Sequence, residues 1–292
     1  MTKFTSKTLS EIVGYIRDAV FSEEYANYSG LLQRIDTRIK FIVFLLLISS
    51  VIFARGIHTL LVFFLLSLIL ASLSRIPLRF YLPRVLVFIP VFTGIIAIPY
   101  IFNIFQPHDG TALIVLHEFH RTIDLPLLRP FSRIEITKEG VFWASVFLTR
   151  VTASVSFAIL LMITTKWSDL VKALHTLRFP KVFVLIMSMA YRYIFLLLDL
   201  ISNMLLSRKS RTVGREPAVK SWKLNAGIIG ALFMKSYEMS EDVYLAMLSR
   251  GFDGTVRISE DKRVDGKSYL FLSMMLCVIF LIMFGVENAA II

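Results

Sequence analysis

A polar stretch near the middle of the chain contains histidines whose spacing could allow them to bind a metal ion. His117 and His120 lie three residues apart, with Glu118 between them and His108 nearby. A helical zinc protease needs two histidines at positions i and i+4, but the residue four after His117 is Arg121. The protease signature therefore fails. Two interpretations remain, a metal role for the histidines and an ordinary solvated loop, and the second is the simpler one.

No other pattern in the chain indicates catalysis. It has no Gly-x-x-x-x-Gly-Lys-Ser/Thr sequence, the loop that holds nucleotide phosphates in one large class of ATPases. No serine or cysteine lies in a recognised nucleophile motif. Cys277 is the single cysteine, so an internal disulfide is excluded. We therefore predict no catalytic residue, no metal ligand and no cofactor bound by this chain.

Three ionisable residues stand out because they lie within apolar stretches: Arg150, Arg192 and Asp199. Charged side chains are costly inside a membrane, so they usually face the interior of a helix bundle, pair there and serve a function. The alternative for Arg192 is a side chain near a helix end whose guanidinium reaches the membrane surface.

Two predicted helices finish on the same dipeptide, in Ser207-Arg208-Lys209 and in Ser249-Arg250-Gly251. Gly251 and Gly254 can adopt the positive φ angles that commonly end a helix. A cation in the last turn is favourable at the negative end of the helix dipole, so each arginine has an ordinary explanation. A pair of arginine-tipped helices on a hydrophobic protein also suggests a device that docks onto partners.

The composition shows which elements must position these residues. Of 292 residues, 56% are hydrophobic and the mean hydropathy is +0.71, beyond the usual balance of soluble proteins. Lysine and arginine outnumber the acidic residues by 32 to 21, but the bases lie mainly in loops between apolar runs, so we predict no nucleic-acid partner. We predict an all-α integral membrane protein with about five transmembrane helices and further cytoplasmic helices.

Apolar runs of nearly 20 residues, the length that crosses a bilayer, define the segments. We assign residues 1–40 to an N-terminal cytoplasmic or interfacial segment, 41–105 to transmembrane helices 1–3, 106–139 to an extracytoplasmic loop, 140–165 to transmembrane helix 4, 166–254 to cytoplasmic helices and 268–287 to a C-terminal transmembrane helix.

Charge decides the orientation of these segments. The bases Arg34, Arg38 and Lys40 directly precede the first apolar run, and residues 207–223 are the most basic stretch of the chain. Such loops stay in the cytoplasm, so the N-terminus is predicted to be cytoplasmic. The loop 106–139 has nearly balanced charge and is assigned to the outside. The sequence shows no internal repeat, so a transporter built from two inverted halves is not predicted.

Several stretches resemble the CbiQ/EcfT family, the transmembrane T components of energy-coupling factor transporters, in the same order along the chain. The strongest is residues 246–254, AMLSRGFDG. Residues 32–40 resemble the family's Leu-Asp-Pro-Arg-x-Lys motif, with Thr37 at the usual proline. Residues 191–194 and 198–199 resemble its Tyr-Arg-Tyr helix, and Ser207-Arg208-Lys209 lies where its first Ala-Arg-Gly-like motif belongs, although it departs from that motif at Lys209.

This resemblance implies a non-catalytic scaffold in a plasma or inner membrane. Its cytoplasmic helices would be coupling helices whose motif arginines dock onto two ABC-type ATPase subunits, which bind the ATP. The other implied partner is a substrate-binding membrane subunit, CbiM-like in the cobalt/nickel branch, with a CbiN-like small subunit as a further candidate. That branch fits best, with cobalt, nickel or a vitamin as possible cargo.

Two functions from other classes stay open on the sequence. One is a metal-dependent intramembrane enzyme that uses His117, Glu118 and His120, although these residues are predicted to lie outside the bilayer. The other is a self-sufficient secondary transporter, which would need an ion gradient and no ATPase.

Overall fold

The chain divides into two compact units. The structure is a computed structural model that describes residues 22–28, 30–101, 112–125, 128–177, 179–211, 217–254 and 265–286. The bundle unit contains Tyr25–Lys166 and Arg263–Ile292, and the described helices of the second, three-helix unit lie within Trp167–Lys262. The chain therefore leaves the bundle unit after Lys166 and returns to it at Arg263.

Helices make up most of both units. In chain order they are α1 (Thr37–Phe53), α2 (Ile57–Leu73), α3 (Leu78–Ile101), α4 (Lys138–Thr164), α5 (Trp167–Thr176), α6 (Lys181–Arg211), α7 (Ala218–Ser249) and α8 (Gly266–Leu281). Two short 3-10 helices, Ser22–Asn27 and Leu32–Arg34, precede α1, and a π-helical turn, Ile282–Val286, extends α8.

Helix α4 is central to the bundle unit because it packs against α1, α2 and α3, while α8 packs against α1. Phe44 of α1 and Phe157 of α4 meet edge to face, with ring centroids 6.2 Å apart. Tyr81 of α3 is fully buried, and its hydroxyl donates to the carbonyl oxygen of Ser156 at 2.8 Å. A buried tyrosine needs such a partner for its hydroxyl. Apolar contacts and single satisfied polar groups thus hold these helices together.

The first helix begins earlier than its apolar run. Asp36 is the N-cap of α1, and its carboxylate accepts from the backbone N–H of Arg38 at 3.0 Å. Capping by aspartate satisfies one of the amides left free in the first turn. Arg38 and Lys40, which the sequence placed before the membrane span, are consequently helical.

A β-hairpin forms where the sequence predicted only a loop. Strands β1 (Ala112–Leu125) and β2 (Leu128–Thr137) pair antiparallel, with irregularities along the register. The apolar run 113–116 and the alternation of Ile134, Glu135 and Ile136 are strand patterns within a polar segment. Within the described residues, this segment therefore adds one β element to an otherwise helical fold.

Three helices of the described chain are long and apolar enough to cross a membrane: α4, α6, and α8 with its π-helical turn. The shorter α2 is also apolar, and its 17 residues give roughly 25 Å at 1.5 Å per residue. These helices confirm the predicted class, a helical, multi-pass integral membrane protein. The assignment of each segment to one side of the membrane stays a prediction.

In the three-helix unit, α5 packs on α6 and α6 packs on α7. Trp167, the first residue of α5, stacks on Tyr191 of α6 with ring centroids 5.9 Å apart. Val184 is the one side chain that is buried in α6. With 31 residues, α6 is roughly 46 Å long, more than the ~30 Å hydrocarbon core, so it can both enter the bilayer and project beyond it.

Candidate functional site

The C-terminal end of α7 is built by backbone hydrogen bonds around Gly251. The N–H of Phe252 donates to the carbonyl oxygen of Met247 at 3.0 Å, and the N–H of Gly251 donates to that of Leu248 at 2.9 Å. This pair of bonds is the Schellman motif, which requires a left-handed residue after the helix. Gly251 has φ +80° and Gly254 has φ +84°, which confirms the predicted use of both glycines.

This helix end presents Arg250 to solvent. The residue is the C-cap of α7, and its side chain is exposed. Within the described residues no carboxylate or carbonyl oxygen binds its guanidinium. The neighbouring Ser249 turns its hydroxyl back to the carbonyl oxygen of Ala246 at 3.1 Å. Arg250 is therefore held on a fixed backbone with its donors available to a partner.

The other motif arginine lies in a different environment. Arg208 lies in the last turn of α6, which continues to Arg211, two residues past the predicted end. Its guanidinium reaches α7, where Nη2 donates to Ser221 Oγ at 3.0 Å and Nη1 donates to Asn225 Oδ1. Arg208 thus ties α6 to α7, whereas its neighbours Ser207 and Lys209 are exposed.

The two arginines are too far apart to serve one contact. Arg208 binds α7 at Ser221, and Arg250 lies 29 residues further along the same helix. At 1.5 Å per residue this separation is roughly 44 Å. Each arginine must therefore meet a different surface of any partner, or a different partner.

Between α6 and α7 an apolar groove of about 490 Å³ adjoins the Arg250 end. Met189 and Tyr193 of α6 line it on one side, and Val243 and Met247 of α7 on the other. Phe252, the residue of the Schellman motif that bonds to Met247, closes it. Among the described residues, the helix end that carries Arg250 is thus continuous with an open apolar surface.

A second apolar surface runs along α7 beside this groove, and Tyr244 belongs to both. Trp222 is 72% exposed and Phe233 is 69% exposed. Exposed apolar residues recur at separations of 3, 4, 7 and 11 positions, which place them on one side of a helix: Val219, Trp222, Phe233, Tyr237, Tyr244 and Leu248. An exposed apolar stripe of this length marks a surface that binds a protein partner or the membrane.

The intramembrane candidates have separate positions. Arg150 of α4 donates from Nη2 to the carbonyl oxygen of Ala54, at the end of α1, at 3.0 Å, and its Nε is buried without a partner. Arg192 and Asp199 are exposed on one face of α6, seven residues apart. Within the described chain neither forms the expected ion pair. The structure thus keeps Arg150 inside the bundle unit and leaves the other two on the surface of the three-helix unit.

The buried contacts of Lys40, the last residue of the motif-like stretch 32–40, were not predicted from the sequence. Lys40 is 2% exposed, and its Nζ donates to the carbonyl oxygen of Thr164 at 3.0 Å and to Thr165 Oγ1 at 3.1 Å. The sequence counted it among loop bases, because a lysine just before an apolar run is ordinarily exposed. A signal for its burial was available in the sequence. Lys40 follows the N-cap Asp36 by four residues and lies on the side of α1 that carries Val43, Phe44 and Leu47.

The histidine-based metal site is not supported. His117 and His120 lie on strand β1, so the helical i, i+3 spacing does not apply, and His108 lies outside the described residues. The described residues contain no group of three or more His, Cys, Asp or Glu that could hold a metal.

Comparison with known proteins supplies the family. The profile of the cobalt transport protein family, CbiQ, matches residues 29–261. The chain belongs to the CbiQ family. It is 43% identical over 270 residues to an uncharacterized protein of Methanocaldococcus jannaschii, covering 92% of this chain and 88% of that protein.

Two named relatives place this CbiQ-family chain more closely. It is 25% identical over 247 residues to the energy-coupling factor transporter transmembrane protein EcfT of Streptococcus equi, covering 81% and 85% of the two chains. It is 30% identical over 122 residues to the nickel permease LarQ of Lactiplantibacillus plantarum, covering 42% and 44%. The family comprises non-catalytic transmembrane components of energy-coupling factor transporters, which work with ATPases and a substrate-binding subunit. The chain is therefore a transport protein and not an enzyme.

Proposed function

We propose that this CbiQ-family protein transmits the motion of two ABC-type ATPase subunits to a substrate-binding membrane subunit through α6 and α7. The observation that carries the proposal is the exposed Arg250 at the capped end of α7, next to an apolar groove that the described residues leave open. Arginine suits docking because its planar guanidinium binds a carboxylate with two parallel hydrogen bonds and stays charged when partly buried.

The spacing of the two arginines supports a contact with two ATPase subunits. Arg208 and Arg250 are separated by roughly 44 Å along α7, so one ATPase groove cannot receive both. Each helix end would occupy its own groove. The exposed apolar stripe of α7 and the groove beside it offer a surface for the substrate-binding subunit, because the helices of a membrane subunit carry mainly apolar side chains.

The proposed cargo is cobalt(II) or nickel(II). The matched family is described as one of cobalt transport, and one relative is named a nickel permease. In the cobalt/nickel branch the substrate-binding subunit is CbiM-like, and a CbiN-like small subunit is a further candidate partner. Selectivity is proposed to lie in that partner, because the described residues of this chain include no cluster of metal ligands.

Co-purification and uptake test the proposal together. The chain should bring ATPase subunits with it from the native membrane. Vesicles in which the ATPase subunits of the reconstituted complex face the lumen should accumulate radiolabelled cobalt(II) or nickel(II) only when ATP is enclosed in the lumen. If an ion gradient drives uptake in the absence of ATPase subunits, the proposal is wrong and the protein is a secondary transporter.

We also propose a cytoplasmic N-terminus in the plasma membrane. Cys277 is exposed and is the single cysteine, so Cys277→Ser gives a cysteine-free background. Single cysteines at Arg79 and Val219 should be protected from an impermeant thiol reagent in intact cells, and one at Thr122 should be labelled. Labelling at Val219 with protection at Thr122 would reverse the orientation.

A further inference from the structure

The end of α4 is held by a buried lysine from another helix. Lys40 of α1 places its ammonium against the carbonyl oxygen of Thr164, the last residue of α4, and against the hydroxyl of Thr165. All three residues are buried. A buried cation is costly without partners, but here it meets the negative end of the α4 dipole. Lys40 thus fixes the last turn of α4 to α1.

The same turn of α1 holds the start of α8. The backbone N–H of Asp36 donates to Ser268 Oγ at 3.1 Å, while the Asp36 carboxylate caps α1. Ser268 is buried in the first turn of α8, where its own N–H donates to the carbonyl oxygen of Asp265 at 2.9 Å. Asp36 and Lys40, four residues apart, therefore bind the N-terminal end of one helix and the C-terminal end of another.

These two contacts border the two places where the chain passes between the compact units. It leaves the bundle unit after Lys166, two residues past Thr164, and returns at Arg263, five residues before Ser268. We propose that Asp36 and Lys40, with Thr164, Thr165 and Ser268, form a junction anchor that holds both ends of the three-helix segment on α1. Lys40 is then a positioning residue for energy coupling, and this inference rests on the proposed function.

The chemistry of the site favours a role beyond stability. An apolar side chain of similar length would avoid the cost of burying a charge, but it would leave the buried carbonyl oxygen of Thr164 and the hydroxyl of Thr165 without this donor. What an ammonium adds is a fixed geometry, because it binds the carbonyl oxygen of Thr164, which has no intrahelical partner at the helix end, together with the hydroxyl of Thr165. Motion of the three-helix segment would reach α1 through this anchor instead of being lost by fraying of α4.

Lys40→Met in the reconstituted complex tests the anchor, with Lys172→Met as the matched control. Lys172 lies on the exposed side of α5 and pairs with Asp169 at 3.5 Å. With Lys40→Met we expect normal complex yield and normal ATP hydrolysis, but metal uptake per ATP at least about five-fold lower, the lower range of typical coupling between sites. The probe is whichever of cobalt(II) and nickel(II) the wild-type complex accumulates. An unchanged ratio of uptake to hydrolysis would overturn the anchor.

A milder variant covers the case in which Lys40→Met does not assemble. The double change Thr165→Val and Ser268→Ala removes one bond at each junction and keeps the buried ammonium bound to Thr164. It should lower uptake per ATP by about two-fold or more, since each lost hydrogen bond is individually modest. A ratio equal to that of the wild type would again exclude the anchor.

Hydrogen exchange separates this inference from the proposed function. In the full chain in lipid, the amides of residues 164–167 should exchange faster in Lys40→Met than in wild type and Lys172→Met, whether or not the complex transports metal. Unchanged exchange would disprove the anchor even if transport were established. Wild-type protein without ATP-dependent uptake would disprove the proposed function and leave the exchange result standing.

Discussion

The two ends at which α6 and α7 carry a motif arginine differ in how the arginine is held. Arg250 projects from a Schellman-capped helix end, and its side chain is exposed. Arg208 is partly buried, with one hydrogen bond from each terminal nitrogen to α7. The two motif arginines therefore differ in what they can bind. Within the described residues, the N–H donors of the Arg250 guanidinium are available to a partner, whereas Arg208 already joins α6 to α7.

The difference has an energetic consequence for docking. An arginine has five N–H donors, and Arg208 uses donors on both terminal nitrogens within the chain. A bidentate contact with a partner carboxylate would require it to share or give up those bonds. Arg250 has no such competition within the described residues. We infer that Arg250 contributes most of the docking free energy and that Arg208 contributes mainly to the shape of the three-helix unit.

The largest expected effect is that of the double change Arg208→Ala and Arg250→Ala. It removes both proposed docking contacts and the bond between α6 and α7, so the ATPase subunits should no longer co-purify and ATP-dependent uptake should be lost. The variant should still insert into the membrane, as judged by its yield in detergent and its circular dichroism. Normal complex yield and uptake would rule out the coupling-helix assignment.

Arg250→Ala alone should show the next largest effect. Leaving a partner carboxylate partly buried and unpaired costs on the order of 2–5 kcal/mol, so the dissociation constant of the ATPase subunits should rise by at least roughly 30-fold. Arg250→Lys should recover little, since lysine cannot make the two-pronged contact. If Arg250 only complements the helix dipole, lysine would restore binding fully, and titration of the ATPase distinguishes these outcomes.

The apolar character, the helix ends and the family could be predicted from the sequence, and the two arginines could be identified but not distinguished. Helix stops depend on local residues such as Gly251, whose positive φ was foreseen. The partners of Arg208 could not be predicted, because Ser221 and Asn225 follow a basic connection in the sequence. They contact Arg208 through the packing of α6 on α7. The burial of Lys40 could not be predicted for the same reason, since it depends on the end of α4, more than 120 residues away.

Arg208→Ala should act on the protein itself more than on docking. Loss of two charge-assisted hydrogen bonds between α6 and α7 should lower the stability of this helix pair by about 1–3 kcal/mol. Amides in the first turns of α7 should then exchange faster, while affinity for the ATPase falls less than in Arg250→Ala. Equal loss of affinity in both variants, with no change in exchange, would show that the two arginines are equivalent docking residues.

The smallest effects should come from a matched pair of serine changes, one beside each arginine. Ser221→Ala removes an acceptor of Arg208 at a buried position, so it should weaken the packing of α7 on α6 by about 1 kcal/mol. Ser249→Ala removes only an exposed local bond to the carbonyl oxygen of Ala246, and it should be nearly neutral. Hydrogen exchange in the first turns of α7 measures the difference. If both variants behave alike, the contact between Arg208 and Ser221 does not stabilise the helix pair, and the contrast between the two arginines must come from Asn225 alone.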